Sequence, residues 1–292
     1  MKNIILIAVV LSIAILACDK VEDPFEGIAE DGGELIGDTT WSDTTHLFRK
    51  MFTEEFTGHT CANCPKNSEK LNSWSENEYK DQMVVVAIHY GSFAEPQPAK
   101  GLPLDWRVEA GKDIHDLFNA NSYPTAVINR LQAGPLGPGQ WQSELQNISS
   151  TINSPTLKLD IRNIRNESEN KNVILFRGEA LQDLTGDHLL GVLVIEDSLI
   201  APQIDDRRPW IGLSDVDTFY VHRHMIRGSI GPTSGNPFIT GSLAKGERVE
   251  NSFQYEPTED QNPKHLIFVG FVRDISSGEV IQVEEIHAVE SH

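Results

Sequence analysis

The stretch that most constrains this chain is residues 51–65, M-F-T-E-E-F-T-G-H-T-C-A-N-C-P, where a strand-like run breaks at Gly58 and delivers two cysteines three residues apart. A helix beginning at Ala62 puts Cys61 at its N-terminus, where unpaired backbone N–H groups and the positive end of the dipole favour a thiolate. Cys64 then lies one turn on, within disulfide reach. Pro65 has no N–H to donate, so it belongs in the first turn of a helix, which independently places the helix start at the cysteines.

The chain has 292 residues, enough for two ordinary domains. Its net charge of −19 argues against a nucleic-acid or anionic-lipid surface and for a soluble, self-repelling body.

The N-terminus reads as a targeting segment. Lys2 supplies a positive start, Ile4 to Leu16 an apolar run, and Ile15-Leu16-Ala17-Cys18 a small residue before a cysteine. The run is short for a transmembrane helix, which needs ~20 apolar residues. It resembles the lipobox of bacterial lipoproteins, whose cysteine carries acyl chains such as palmitate and becomes the mature N-terminus. The resemblance implies a signal peptide over residues 1–17, a lipid on Cys18 and attachment to a membrane through it. A plain secretory signal cut near Ala17 is the alternative, and it leaves Cys18 as a free thiol. With Cys18 lipidated, Cys61 and Cys64 are the only remaining pair, in a compartment where disulfides persist. Residues 18–45 are polar, acidic and Gly-rich, which predicts a flexible tether.

From His46 the pattern becomes globular. His46 to Thr57 reads as a strand, Lys66 to Tyr79 as a helix with Leu71 and Trp74 inward, and Met83 to Tyr90 as a central strand covered on both faces. Gly91 to Asp105 is an irregular insert with three prolines. Val108 to Ala120 reads as a helix, Thr125 to Asn129 as a strand, and Trp141 to Ile152 as a helix after the turn Ala133 to Gly139. Strands alternating with helices imply an α/β layer over residues 46–153. The pattern E-F-T-G-H-T-C-A-N-C, then a strand, then Tyr123-Pro124-Thr125 before another strand, resembles the thioredoxin fold. That resemblance implies that a cis-proline loop at Pro124 faces the cysteines, and that Glu55 occupies the place of a buried acid thought to shuttle a proton to and from the second cysteine. Strand neighbours face opposite sides, so whether Glu55 or Glu54 points inward stays open at this level. An exposed strand carboxylate is the alternative for either.

Residues 154–292 change character. Alternating runs occur at Thr156 to Ile164, Asn172 to Leu181, Leu189 to Glu196, Phe219 to Ile226, Arg248 to Tyr255, His265 to Arg273 and Val280 to Ile286, several of them separated by turn clusters. They predict an all-β, sandwich-like domain. The motif E-E-F-T-G-H-T-C-A-N-C-P, together with Y-P-T, Tyr220 to Arg227 and the closing F-V-G-F-V-R-D…G-E-V-I-Q-V, resembles the twenty-eight-kilodalton outer-membrane-protein family of bacterial lipoproteins. The resemblance implies a thioredoxin-like domain followed by a β-domain, and an envelope location; the outer membrane is the expected one, with the periplasmic or surface face left open.

Other side chains carry candidate chemistry. His222 and His224 are two apart and face one side if they share a strand, where ordinary strand histidines are the simpler reading. His59 lies beside the cysteines and stabilises a thiolate if protonated. With His89 it also offers a Cys2His2 zinc set, but the long gap to His89 counts against that reading. The insert at Gly91 to Asp105 reads as a surface excursion or as a lid. Neither cofactor nor metal is expected. Two functions follow: a thiol-disulfide oxidoreductase using Cys61 and Cys64, assisted by Glu55 and Pro124, on a protein thiol or disulfide partner in the envelope, or a non-catalytic interaction lipoprotein with a static disulfide.

Overall fold

The computed structural model describes residues 35–36, 48–131, 133–151 and 153–289. The expected signal peptide, Cys18 and most of the expected tether lie outside these residues. Within the expected tether, β1 (Leu35–Ile36) pairs antiparallel with a strand of the C-terminal half.

The N-terminal half runs β2 (Met51–Thr57), α1 (Cys64–Ser73), β3 (Met83–His89), α2 (Glu109–Phe118), β4 (Thr125–Ile128) and α3 (Pro138–Ser149). β2 pairs parallel with β3 and antiparallel with β4. All three strands are buried along their length, β3 as its continuous apolar run predicted. One face of this sheet packs Met51, Met83, Val85 and Ile128 against Leu71 of α1 and Trp141, Leu145 and Ile148 of α3. The opposite face packs Phe52, Phe56, Val84, Val86 and Ile88 against Ala110 and Ile114 of α2. α3 starts at Pro138, earlier than its apolar spacing alone suggested, because the proline is already in helical conformation as a first-turn residue behind Gly137. α2 ends at Asn119, whose left-handed backbone (φ 50°) is one that asparagine tolerates. α1 gives way at Trp74–Glu78 to a wider π-turn.

The C-terminal half is all β. Its strands are β5 (Leu157–Asn166), β6 (Lys171–Ala180), β7 (Leu184–Thr185), β8 (His188–Glu196), β9 (Leu199–Ile204), β10 (Val216–His222), β11 (Met225–Ser229), β12 (Asn236–Ile239), β13 (Ser242–Leu243), β14 (Arg248–Tyr255), β15 (Leu266–Asp274) and β16 (Val280–His287). The run read as one strand from Phe219 to Ile226 is two, β10 and β11, broken at Arg223 and His224. β9 was not foreseen.

The sheet does not stop at the expected boundary near residue 153. Its order is β16-β15-β8-β11-β3-β2-β4, with β12 also on β8, so strands of both halves form one layer. The join is β11 beside β3, where the Ala87 amide donates to the His224 carbonyl at 2.8 Å. β1, β5, β6 and β14 form a second, four-stranded sheet. Alternation in β8 and β15 explains how the large sheet serves two cores. Leu193, Ile195, Ile267 and Val269 join the core shared with α2, while Val192, Val194, Leu266 and Phe268 face Leu159, Ile174 and Phe176 of the four-stranded sheet. At Gly270 an added Cβ would sit 2.0 Å from the Phe176 ring, so the two sheets close over a residue with no side chain.

Candidate functional site

β2 ends at Thr57, and the chain turns through Gly58 into the cysteines. An added Cβ at Gly58 would lie 2.3 Å from the Phe93 carbonyl oxygen, so only glycine lets the Gly91 to Asp105 insert approach this turn. The insert is held there by the Thr60 amide and hydroxyl, both donating to Phe93 O. Cys61 and Cys64 are joined in a disulfide. The helix starts later than the sequence suggested: Cys64 is the first residue of α1, with Pro65 in its first turn, while Cys61 lies in the preceding turn and its amide donates to Gly58 O. The N-terminal dipole therefore acts on Cys64.

Both cysteines are buried, Cys61 to 3% and Cys64 to 1% exposure. The hairpin β9–β10, which belongs to the C-terminal half, packs over them, while the proline-rich insert lies against the Gly58–Thr60 turn. The Gln203 side chain donates to the carbonyls of Cys61 and Ile204 and, at 3.4 Å, of Gly58. Backbone amides of Ile204 and Asp206 donate to His59 O and Ala62 O. The hairpin is also tied to α1 by Arg207, whose guanidinium grips Glu69 with both arms (2.5 and 2.7 Å). Just beyond the hairpin, Arg223 pairs with Glu76 (2.8 Å). These exposed ion pairs contribute little individually, about 0–1 kcal/mol each. Hydrogen bonds to the carbonyls of Gly58, His59, Cys61 and Ala62 do more to hold the hairpin in register, because a buried one left unpaired costs about 1–3 kcal/mol.

Behind the disulfide lies a cavity of about 20 Å³, lined by Glu55, Cys64, Ser68, His89, Tyr220 and His222 among others. That is room for a single water-sized molecule. Packing across the sheet decides the question left open between the two β2 glutamates, and neither is exposed. Glu55 faces the cavity, where Ser68 Oγ donates to it at 2.7 Å, and burial raises its carboxyl to about 8. Glu54 faces the other side and meets Arg130 in a fully buried bidentate pair (2.6 and 2.8 Å).

The histidines depart from their expected roles. His59 is buried, and desolvation lowers its pKa, so it is neutral at pH 7 and brings no positive charge to the cysteines. Burial holds His222 down to about 3 and His89 well below its usual range. Their rings pack edge to face at 5.4 Å, and His89 Nδ1 and His222 Nε2 have no hydrogen-bond partner among the described residues. His222 and His224 do not share a face. His222 closes the cysteine cavity, whereas His224, at φ 53° between the strands, lines a separate pocket of about 560 Å³ with Lys50, Glu285 and His287. Among the described residues no group of three or more His, Cys, Asp or Glu is arranged to hold a metal ion.

Pro124 follows a cis peptide bond, and Thr125 beside it pairs with Phe56, so the proline loop lies at the same end of β2 as the Gly58 turn. Tyr123 packs on Phe93 of the insert and donates to Tyr90 O. Sequence reasoning did not find Gln203, Tyr220 and His222 as partners of the cysteines. The His222-x-His224 spacing marked the segment, but nothing in β9 pointed to the cysteines.

A mixed sheet carrying a CxxC disulfide, sealed from behind by a hairpin of its own β half, defines the class of protein. The profile of the family described as outer membrane protein Omp28 matches residues 112–291, and the chain belongs to that family. Its location is accordingly the outer membrane. Among solved structures it is similar to HBP35 of Porphyromonas gingivalis, with a TM-score of 0.63 and 15% identity over 83% of this chain and 76% of that one. This is a likeness of fold. A domain of the outer membrane lipoprotein Omp28 from Porphyromonas gingivalis matches at 14% identity over 48% of this chain and 93% of that one (TM-score 0.30). A protein from Agrobacterium tumefaciens matches at 11% identity over 85% of this chain and 98% of that one (TM-score 0.48). No curated protein sequence matches the chain.

Proposed function

We propose that this protein is a non-catalytic interaction lipoprotein of the outer membrane, built on a thioredoxin-like scaffold and anchored by a lipid on Cys18, in which Cys61–Cys64 is a static disulfide. The observation that carries this reading is the burial of both cysteines under β9–β10, with a cavity behind them too small for a substrate disulfide. Exchange requires in-line access of a thiolate to one sulfur, and here that access requires the hairpin to lift. The order β2-α1-β3-α2-β4, with the proline loop at the cysteine end, supports the thioredoxin-like part. The family match supports the membrane part.

A second reading keeps the oxidoreductase, and one observation favours it: Glu55, raised to about 8, lines the same cavity as Cys64 and is poised to exchange a proton with it. One experiment separates the two. Cys61→Ser, Cys64→Ser and Cys18→Ala are expressed in the native envelope, acid-quenched, fractionated and run on non-reducing gels. The static reading expects wild type fully oxidised, no partner adduct with either serine variant, and Cys18→Ala in the soluble fraction with its disulfide intact. A reducible adduct trapped by Cys64→Ser and absent from Cys61→Ser would replace it with the oxidoreductase. Cys18→Ala remaining in membranes would remove the anchor.

A further inference from the structure

The hairpin that seals the cysteines turns a different face outward. Ile200 and Val221 are cross-strand partners, so they share one face, and the opposite face carries Gln203 and His222 into the cysteine site. Phe219 is 79% exposed on β10, and beyond the strands Trp210 is 89%, Ile211 73% and Leu213 about half exposed. Six of the eleven large apolar side chains exposed among the described residues therefore fall within this one hairpin. Together they present roughly 550 Å² of apolar surface, at the top of what a typical monomer leaves uncovered.

We propose that this face is the interface with a second copy of the same chain. Two copies would bury about 1,100 Å² of apolar surface between them, past the roughly 1,000 Å² a specific interface should clear. The distribution of these side chains along the hairpin suits a twofold pair. It is bulky at the closed end, with Trp210, Ile211 and Leu213, and shallow at the open end, with Ile200 and Val221. Stacking two hairpins antiparallel about a twofold axis sets each bulky end over the partner's shallow end, with Phe219 between them. The β10 edge does not supply the contact, since its register slips between Asp217 and Tyr220 and the Phe219 amide is taken by the Asp217 carboxylate. The arginines at the bulky end are already paired, Arg208 with Asp217 and Arg207 with Asp205 and Glu69, so no lone cation is buried by the stack. Exposed acids nearby, Asp206 and Asp215, and the net charge of −19 weigh against an anionic bilayer as the occupant. The proposal is independent of whether the disulfide is static, because it uses only the hairpin's outer face.

The test is sedimentation of the full chain at tens of micromolar in physiological salt. Twice the monomer mass is expected, with tighter association as salt rises and screens the like charges. The Trp210→Ser/Phe219→Asp double variant should sediment as monomer with unchanged circular dichroism and an intact disulfide. Phe219→Cys should cross-link to itself in intact membranes, and Leu117→Cys, also at an exposed position but outside the hairpin, should not. A monomeric wild type, a dimer indifferent to the double variant, or Trp210-dependent binding to vesicles without dimerisation would each overturn the proposal.

Discussion

Glu55 offers a quantitative test of the cysteine site. Its carboxyl is fully buried, with one hydrogen bond from Ser68, and is raised from 4.5 to about 8 by desolvation. Between these two values the folded chain holds a proton that the unfolded chain has released, so the unfolded state binds fewer protons and stability falls as pH rises. The contribution is fully present below pH 4.5 and lost on passing through pH 8. At about 1.4 kcal/mol per unit, this is a loss of about 3 kcal/mol by pH 7 and about 4 by pH 8. Glu55→Gln keeps an acceptor for Ser68 and has no proton to release. Urea unfolding of both proteins with the disulfide intact, at steps from pH 4.5 to 8, should show the variant gaining on wild type by about that amount. A difference that stays flat across the range would mean that Glu55 is ionised in the fold, and would remove both the buried-acid assignment and the argument for proton exchange with Cys64.

His222 makes the opposite prediction, since its pKa is lowered to about 3: the unfolded chain takes up a proton below about 6.5 that the fold refuses, so stability is lost on acidification. His222→Gln should therefore gain about 2 kcal/mol relative to wild type between pH 7 and pH 5 by the same titration; no change would place the imidazole in water. On the opposite face of β2, Glu54→Gln leaves the Arg130 guanidinium buried and should cost about 3–5 kcal/mol, whereas Glu54→Gln combined with Arg130→Met should cost less than the sum of the singles. Strict additivity in denaturant melts would show the pair to be uncoupled.

Much of the local structure was written in the residues. Val84, Val86 and Ile88 on one side of β3 and Met83 and Val85 on the other needed covering on both faces, and helices on both sides are the solution for such a run. Pro65 placed the start of α1 to within a few residues because its missing N–H suits only the first turn. The Trp141, Leu145 and Ile148 spacing gave the buried stripe of α3. The two cysteines three apart gave their own pairing, because that separation brings them within reach on any tight turn into a helix.

What residue patterns could not decide were the long-range partnerships. The choice between Glu54 and Glu55 depended on which face of β2 met α1, and that was set by packing across the sheet. The joining of both halves in one sheet rests on β11 lying beside β3, a contact between residues more than a hundred positions apart that leaves no periodic mark. The cover over the cysteines is of the same kind. β9 is short, contains a proline and leaves Ile200 exposed, so its local pattern reads as loop, and Gln203 becomes part of the site only when the fold carries it to the carbonyls of Gly58 and Cys61. Local preference selects strands, turns and helix starts because those energies depend on neighbours in sequence. Burial, charge state and access at the disulfide depend on neighbours in space, and only the tertiary structure supplies them.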